Sequence, residues 1–170
     1  MILVLSGEGK TDLGELVFGT GEFKAGAMYM IIDKIIETRY TYSPYYTSKD
    51  NIKYISKDEL SKKAKSLKPI KLPGVDGKKE TAYFFRNARA LATISKEYEN
   101  SIAILFRDSD GTNSSTNSEW QDKYDSILKG FESANFKQGI AMLPKPKSEA
   151  WLICALKNKN QNCNNLENKT

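Results

Sequence analysis

The sequence predicts an α/β fold with a largely parallel central sheet flanked by helices. Three short apolar runs, separated by stretches with helical periodicity, support this prediction: 2–5, 102–106 and 140–143. Continuous apolar runs are typical of parallel strands covered on both faces, because both sets of alternating side chains are then buried. Strands that alternate with helices along the chain indicate an α/β domain.

Four stretches have apolar residues spaced three and four apart, which predicts four helices. Their apolar faces are expected to comprise Met28, Ile31, Ile32 and Ile35; Leu60, Ala64 and Leu67; Phe84, Phe85, Ala88, Leu91, Ala92 and Ser95; and Trp120, Tyr124, Ile127, Leu128 and Phe131. Gly130 is expected to weaken the end of the fourth helix, because glycine is a poor helix former.

The length of 170 residues, 39% of them hydrophobic, is that of one domain with its own core. We assign this domain to 1–156, with an insertion at about 38–76, and we interpret 157–170 as a polar tail or the stump of a longer chain. Residues 38–56 carry five tyrosines around Pro44 and are expected to form an inserted loop or hairpin. These tyrosines either stack on bases or simply pack together.

The composition excludes several kinds of site. The chain has no histidine, which excludes Ser-His-Asp and Cys-His triads and zinc sites built on imidazole. Cys154 and Cys163 are too few for a disulfide framework and lack zinc-site spacing, so a reducing cytoplasm is the expected location. The apolar start, 1–5, is too short for a signal core or a membrane span, so we expect no membrane partner.

The positive charge is concentrated in one segment. The formal net charge is +5, and 57–79 alone holds eight lysines against three acidic residues. Such a segment either binds the phosphates of DNA or RNA or is a solvated surface. The residues we predict to bind nucleic acid are Lys10, Lys62, Lys63, Lys65, Arg86, Arg89 and Lys145.

Acidic residues follow each apolar run, where open α/β sheets bind their ligands. Glu8 follows the first run, Asp108 and Asp110 follow the second, and Glu149 follows the third. Asp108 and Asp110 are two apart in extended chain, so both can point the same way and share a hard cation. Asp-x-Asp-Gly also occurs in ordinary solvated turns, but here it ends a buried strand.

Glu8 lies between Gly7 and Gly9, which are expected to permit a tight strand-to-helix turn and close approach of a phosphate. The alternative is an exposed glutamate in a glycine-rich turn. Residues 9–11, Gly-Lys-Thr, also match the end of a Walker A loop. That motif needs a glycine where this chain has Val4, so we do not expect a nucleotide cradle.

Together these segments resemble the Toprim domain of topoisomerases, primases and small nucleases: a glutamate in a glycine turn after the first strand, then Asp-x-Asp after a later one. The segment 146–152, Pro-Lys-Ser-Glu-Ala-Trp-Leu, is similar to that of small Toprim-like proteins related to the OLD-family nucleases. The insertion is longer than a minimal Toprim core needs. Topoisomerase and primase activities are not expected, because no tyrosine can be assigned as a nucleophile and no cleavage domain accompanies the motifs.

The resemblance implies metal-dependent phosphoryl transfer. Glu8 is then a general acid/base or a metal ligand, while Asp108 and Asp110 hold Mg²⁺ or Mn²⁺ and Glu149 completes a second metal position. Lys147 or Lys145 would hold the scissile phosphate or the leaving oxygen. For Glu149 an equal alternative is an early-turn helix acid after a Ser148 cap, which the helix dipole alone favours.

The resemblance therefore implies a nuclease that acts on DNA or RNA. By analogy with the OLD-family nucleases, it would act together with an ATPase partner and in defence against phage. Three alternatives stay open: an RNA-processing endonuclease, a non-catalytic interaction subunit that binds metal structurally, and a receiver-like phosphoacceptor. The Glu149-Ala-Trp-Leu segment disfavours the first of these.

Overall fold

The computed structural model describes residues 1–70, 79–109 and 117–145. The elements, in chain order, are β1 (Ile2–Ser6), β2 (Gly14–Leu16), β3 (Phe23–Ala25), α1 (Ala27–Tyr40), α2 (Pro44–Thr47), β4 (Ile52–Tyr54), α3 (Lys57–Ser66), α4 (Lys79–Ser95), β5 (Ser101–Phe106), α5 (Asn117–Ser133) and β6 (Gly139–Met142). A short 3-10 turn, Lys49–Asn51, precedes β4. Within these ranges no helix has the length and apolar character needed to cross a membrane.

The main sheet has four parallel strands in the order β4-β1-β5-β6. The central pair is β1 and β5, whose register begins at Ile2 opposite Ser101 and ends at Ser6 opposite Leu105. β2 and β3 form a separate antiparallel hairpin. The predicted α/β class and the three predicted strands are confirmed.

Helices cover both faces of this sheet. Leu3 and Leu5 of β1 pack with α1 and the β2–β3 hairpin, while Val4 between them packs with α3, α4 and α5. All three side chains are buried. Residues that alternate along a strand point to opposite faces, so a run that is apolar throughout serves both layers.

Part of the segment predicted as an insertion belongs to the core. Ile52–Tyr54 forms β4 and pairs in parallel with β1, so a loop or hairpin over 38–56 is wrong for these three residues. Leu60 of α3 is fully buried against the sheet. The error has a physical cause: β4 is only three residues long, too short for its periodicity to distinguish it from a loop.

The buried face of α1 differs from the predicted one. Ile31 and Ile35 are exposed, while Met28, Tyr29 and Asp33 are buried. The Asp33 carboxylate accepts hydrogen bonds from the Ser43 hydroxyl (2.6 Å) and the Tyr45 backbone N–H (3.0 Å). Burial of a carboxylate is tolerated when its oxygens are hydrogen-bonded, and Asp33 thereby fixes the start of α2 against α1.

The tyrosines of 38–56 have divided roles. Tyr45 and Tyr54 pack around Phe23, with ring centroids 6.5 and 5.7 Å from it, so they contribute to the core. Tyr40 and Tyr46 are exposed. Base stacking thus stays a prediction for the exposed pair only.

α5 departs from its predicted face at two positions. Leu128 is exposed, and Lys123 is buried on the side that faces the sheet. Gly130 lies where α5 crosses α4. A Cβ added at Gly130 would lie 2.5 Å from the Phe85 carbonyl oxygen and 2.7 Å from the Ala88 Cβ.

Gly130→Ala is therefore expected to destabilise the protein, although alanine favours a helix by about 1 kcal/mol over glycine. Overpacking a close helix crossing costs about 1–3 kcal/mol, which outweighs that gain. The measurement is the free energy of unfolding in urea. Lys129→Ala, one residue away and exposed, is the control and should change stability by less than about 0.5 kcal/mol. A Gly130→Ala protein more stable than the parent would contradict the close crossing.

Candidate functional site

Polar residues follow all four strands at the carboxyl edge of the sheet. Lys57 follows β4, Glu8 follows β1, Asp108 follows β5 and Lys145 follows β6. Because the four strands are parallel, these residues share one edge. We call this edge of the molecule the acidic edge, after Glu8 and Asp108.

The structure brings Glu8 and Asp108 together across a hundred residues of chain. The Asp108 backbone N–H donates to Glu8 Oε2 at 3.1 Å. The Glu8 side chain is 21% exposed, and Asp108 is half-buried. The structure therefore places the Glu8 carboxylate beside the Asp108 backbone, while a metal site shared by the two carboxylates stays a prediction.

Lys57 lies on the other side of Glu8. Its Nζ is 3.3 Å from Glu8 Oε1, and the lysine side chain is 54% exposed. α3 begins at Lys57 because Ser56 and Glu59 form a capping box: the Ser56 hydroxyl accepts from the Glu59 N–H, and Glu59 Oε2 accepts from the Ser56 N–H at 2.9 Å. The cap thus determines where Lys57 meets Glu8.

A strand-to-helix turn was predicted at Glu8, but the turn leads into a hairpin. The Gly9 N–H donates to Asp12 Oδ2 at 3.1 Å, and the chain continues into the β2–β3 hairpin before α1. A Walker A loop runs from a strand directly into a helix. The path of this chain differs, which agrees with the expectation that residues 9–11 do not form a nucleotide cradle. Lys10, a predicted nucleic-acid contact, is 80% exposed and pairs with Glu15 of β2 at 2.8 Å.

Arg107 lies beneath the acidic edge and is fully buried. Its Nη1 donates to the carbonyl oxygens of Phe106 (2.6 Å) and Ser6 (3.3 Å), so it links the ends of β5 and β1. Its Nε has no hydrogen-bond partner among the described residues. Burial lowers the pKa of Arg107, while the adjacent Tyr83 and Glu8 counteract this shift.

A second buried cation approaches the same strand end. Lys123 of α5 donates from Nζ to the Ser109 carbonyl oxygen at 2.8 Å, and its ammonium group lies 5.8 Å from the centre of the Phe84 ring. Buried lysines need such partners, because the desolvated ammonium is otherwise costly. Two buried positive charges therefore lie at the end of β5, and one of them, Arg107, interacts with the Glu8 carboxylate.

The donor chemistry of the acidic edge fits a hard divalent cation. Glu8 and Asp108 offer carboxylate oxygens, the ligands that Mg²⁺ and Mn²⁺ prefer. In 1–70, 79–109 and 117–145 no group of three or more metal-ligating side chains occurs. One or two carboxylates are sufficient for Mg²⁺, which usually keeps several waters and binds phosphate oxygens of its substrate.

Three of the predicted nucleic-acid contacts converge on one groove. A cavity of about 440 Å³ lies between α3 and α4, and Lys65, Arg86 and Arg89 line it. The other two α3 lysines that were predicted to bind nucleic acid lie elsewhere: Lys62 is exposed outside the groove, and Lys63 pairs with Glu97 at 3.3 Å. Lys145 lies near β6, with its Nζ 5.6 Å from the centre of the Trp120 ring.

Three predicted site residues, Asp110, Lys147 and Glu149, lie outside the described residues, as does the lysine-rich stretch 71–78. Their predicted roles stay predictions.

The sequence prediction gave no role to Arg107, Lys123 or Lys57 at the site. Two signals were available. Arg107 directly follows a buried strand, and Lys123 is three residues from Trp120 and four from Ile127, which places it on the apolar face of α5. No local sequence pattern indicated that Lys57 lies at the site, because its contact with Glu8 depends on how β4 pairs with β1.

No known family model, curated protein or solved structure matches the chain.

Arg107→Met is expected to destabilise the fold, since it leaves the Ser6 and Phe106 carbonyls without their buried donor. Each unsatisfied carbonyl costs about 1–3 kcal/mol, and relief of the buried charge offsets part of this, so we expect a net loss of about 1–3 kcal/mol. Urea unfolding measures it. Arg39→Met, in the exposed last turn of α1, is the control and should lose under about 1 kcal/mol. Unchanged stability in Arg107→Met would show that the strand link contributes nothing.

Proposed function

We propose that this protein is a metal-dependent nuclease of the Toprim type, which hydrolyses phosphodiester bonds of a nucleic acid at the acidic edge. The observation that carries the proposal is the contact between Glu8 and the Asp108 backbone at the ends of the two central strands. A glutamate after the first strand and the start of Asp-x-Asp after a neighbouring strand are the two parts that the Toprim resemblance requires. An ATPase partner and a role in phage defence follow from the OLD-family resemblance.

Glu8, Asp108 and Asp110 would hold Mg²⁺ or Mn²⁺, and Glu149 would complete a second position. The metal supplies positive charge that stabilises the phosphate as the attacking and leaving oxygens develop negative charge. Hydrolysis forms a P–O bond from water and breaks the P–O ester bond, and the leaving oxygen takes up a proton from solvent. Glu8 accepts the proton of the attacking water when it is not itself a ligand, and Lys147 or Lys145 holds the phosphate or the leaving oxygen.

The local charges are consistent with this role. Clustered carboxylates repel each other unless cations lie nearby, and here Lys57, Arg107 and Lys123 surround Glu8 and the end of β5. Lys57 is exposed enough to leave Glu8 and contact a phosphate instead. This exchange would free a Glu8 oxygen when substrate and metal bind.

The test is cleavage of labelled DNA and RNA with Mg²⁺ or Mn²⁺. We expect EDTA to abolish cleavage, and we expect Glu8→Gln and Asp108→Asn to lower the rate by about 10²–10⁴-fold, the usual contribution of a positioned acid or base. Both variants should stay folded: Asp108→Asn keeps the side-chain shape, and the amide oxygen of Glu8→Gln can still accept from the Asp108 N–H, although its charge pairing with Lys57 is lost. Glu37→Gln on the exposed end of α1 removes the same charge elsewhere and should keep full activity.

Each other outcome identifies a different function. Cleavage of RNA alone would favour the RNA-processing alternative. Saturable Mn²⁺ binding that Glu8→Gln and Asp108→Asn weaken, without cleavage of either nucleic acid, would favour the metal-binding interaction subunit. Full activity of both variants would refute the proposed site.

Glu149→Gln separates the two roles considered for Glu149. If Glu149 is a ligand, the loss of an anionic oxygen should shift the Mn²⁺ dependence of cleavage to higher concentration, and high metal should partly rescue it. If it only complements a helix dipole, stability should fall by about 0.3–1 kcal/mol and the Mn²⁺ titration should coincide with that of the parent. Coincident curves with equal maxima would remove Glu149 from the site.

A further inference from the structure

The groove between α3 and α4 combines positive charge with an accessible aromatic ring. Lys65, Arg86 and Arg89 line it together with Tyr83, Asn87 and Ile70, and no acidic side chain is among the described residues that line it. Tyr83 is 38% exposed and Ile70 is 41% exposed. An uncompensated cationic wall beside exposed apolar surface is suited to a ligand that has both an anionic group and a planar apolar group.

Asn87 adds a buried polar group to this groove. It is 3% exposed, and its Nδ2 donates to the Tyr83 carbonyl oxygen at 2.9 Å. An amide oxygen in this position can accept a hydrogen bond from a ligand, such as the amino group of a base.

The groove and the acidic edge both have residues of α3 beside them. Lys57, Ser61 and Lys65 are four residues apart, so they share one face of the helix. Lys57 contacts Glu8, while Ser61 and Lys65 line the groove. The rise of an α-helix places Lys65 about 12 Å from Lys57 along the axis. Tyr83 of α4 also lies near both the groove and the acidic edge, because it lines the groove and interacts with Arg107.

We propose that this groove binds single-stranded nucleic acid next to the bond that is cleaved, with phosphates on Lys65 and Arg86 and an unstacked base on Tyr83. This inference rests on the proposed nuclease function, and it specifies the substrate as single-stranded or locally unpaired. A cavity of about 440 Å³ is within the size range of small-ligand sites, on the order of 300–1,000 Å³. Such a cavity admits one splayed nucleotide but not a duplex, whose bases are stacked inside and whose convex surface cannot enter it.

The experiment measures binding without cleavage, by fluorescence anisotropy of a labelled oligonucleotide of roughly 12 nucleotides in EDTA, single-stranded or annealed. The full chain with Lys65→Gln and Arg86→Gln together should bind the single strand at least tenfold more weakly. Its dependence on salt between about 50 and 200 mM should also flatten, by about 0.7 in log–log slope per lost phosphate contact. Lys129→Gln with Lys137→Gln, exposed lysines on α5 and before β6, removes the same charge at residues that do not line the groove and should change affinity less than twofold.

Tyr83 separates stacking from charge. Tyr83→Leu should weaken single-strand binding about five- to a hundredfold, the usual effect of losing one stacked base, whereas Tyr83→Phe keeps the ring and should bind as the parent does. Equal affinity of Tyr83→Leu and the parent would overturn the stacking assignment. Single-strand affinity unchanged by Lys65→Gln with Arg86→Gln would overturn the groove, as would tighter binding of the duplex.

Cleavage assays distinguish failure of the groove from failure of the nuclease proposal. Groove-dependent binding of the single strand without cleavage in Mg²⁺ or Mn²⁺ would refute the nuclease and leave the groove as a binding site. Cleavage that depends on Glu8 but not on Lys65, Arg86 or Tyr83 would refute the groove and leave the nuclease.

Discussion

The parallel pairing of β1 with β5 is the constraint on which the other features depend. Its register ends at Ser6 opposite Leu105, which places the residues two or three positions further on beside each other. Glu8 and Asp108 meet for this reason, although neither turn has a sequence feature that refers to the other. β4 and β6 then add their own strand ends on either side, so the edge gains Lys57 and Lys145.

Charge balance explains why this edge tolerates buried cations. A fully buried arginine without a direct ion pair among the described residues is costly, and Arg107 offsets the cost with backbone carbonyls and with the nearby Glu8 carboxylate. Lys123 uses the Ser109 carbonyl in the same way. The attraction between Glu8 and the nearby cations lowers the free-energy cost of burying each of them in this small α/β domain.

Sequence periodicity was sufficient for the long elements and insufficient for the short ones. The β1, β5 and β6 strands and four helices followed from apolar spacing, because burial on both faces or on one stripe leaves a direct pattern. β4 was not predicted because it is only three residues long. The tyrosine-rich segment before it was interpreted as a loop or hairpin that included it. The predicted face of α1 was wrong at Ile31 and Ile35, which are exposed. The burial of Asp33 was not predicted, because its hydrogen bonds to Ser43 and Tyr45 have no signature in sequence.

α3 determines the distance and the angle between Lys57 at the acidic edge and Lys65 in the groove. Its first residue is fixed by the Ser56–Glu59 cap, and every later residue follows at a rotation of about 100° and a rise of about 1.5 Å. A single residue inserted within the helix would keep Lys57 at the acidic edge but turn Lys65 about a quarter of the way around the axis, out of the groove. The angular phase of one short helix thus determines whether the two surfaces can contact the same strand of a polymer.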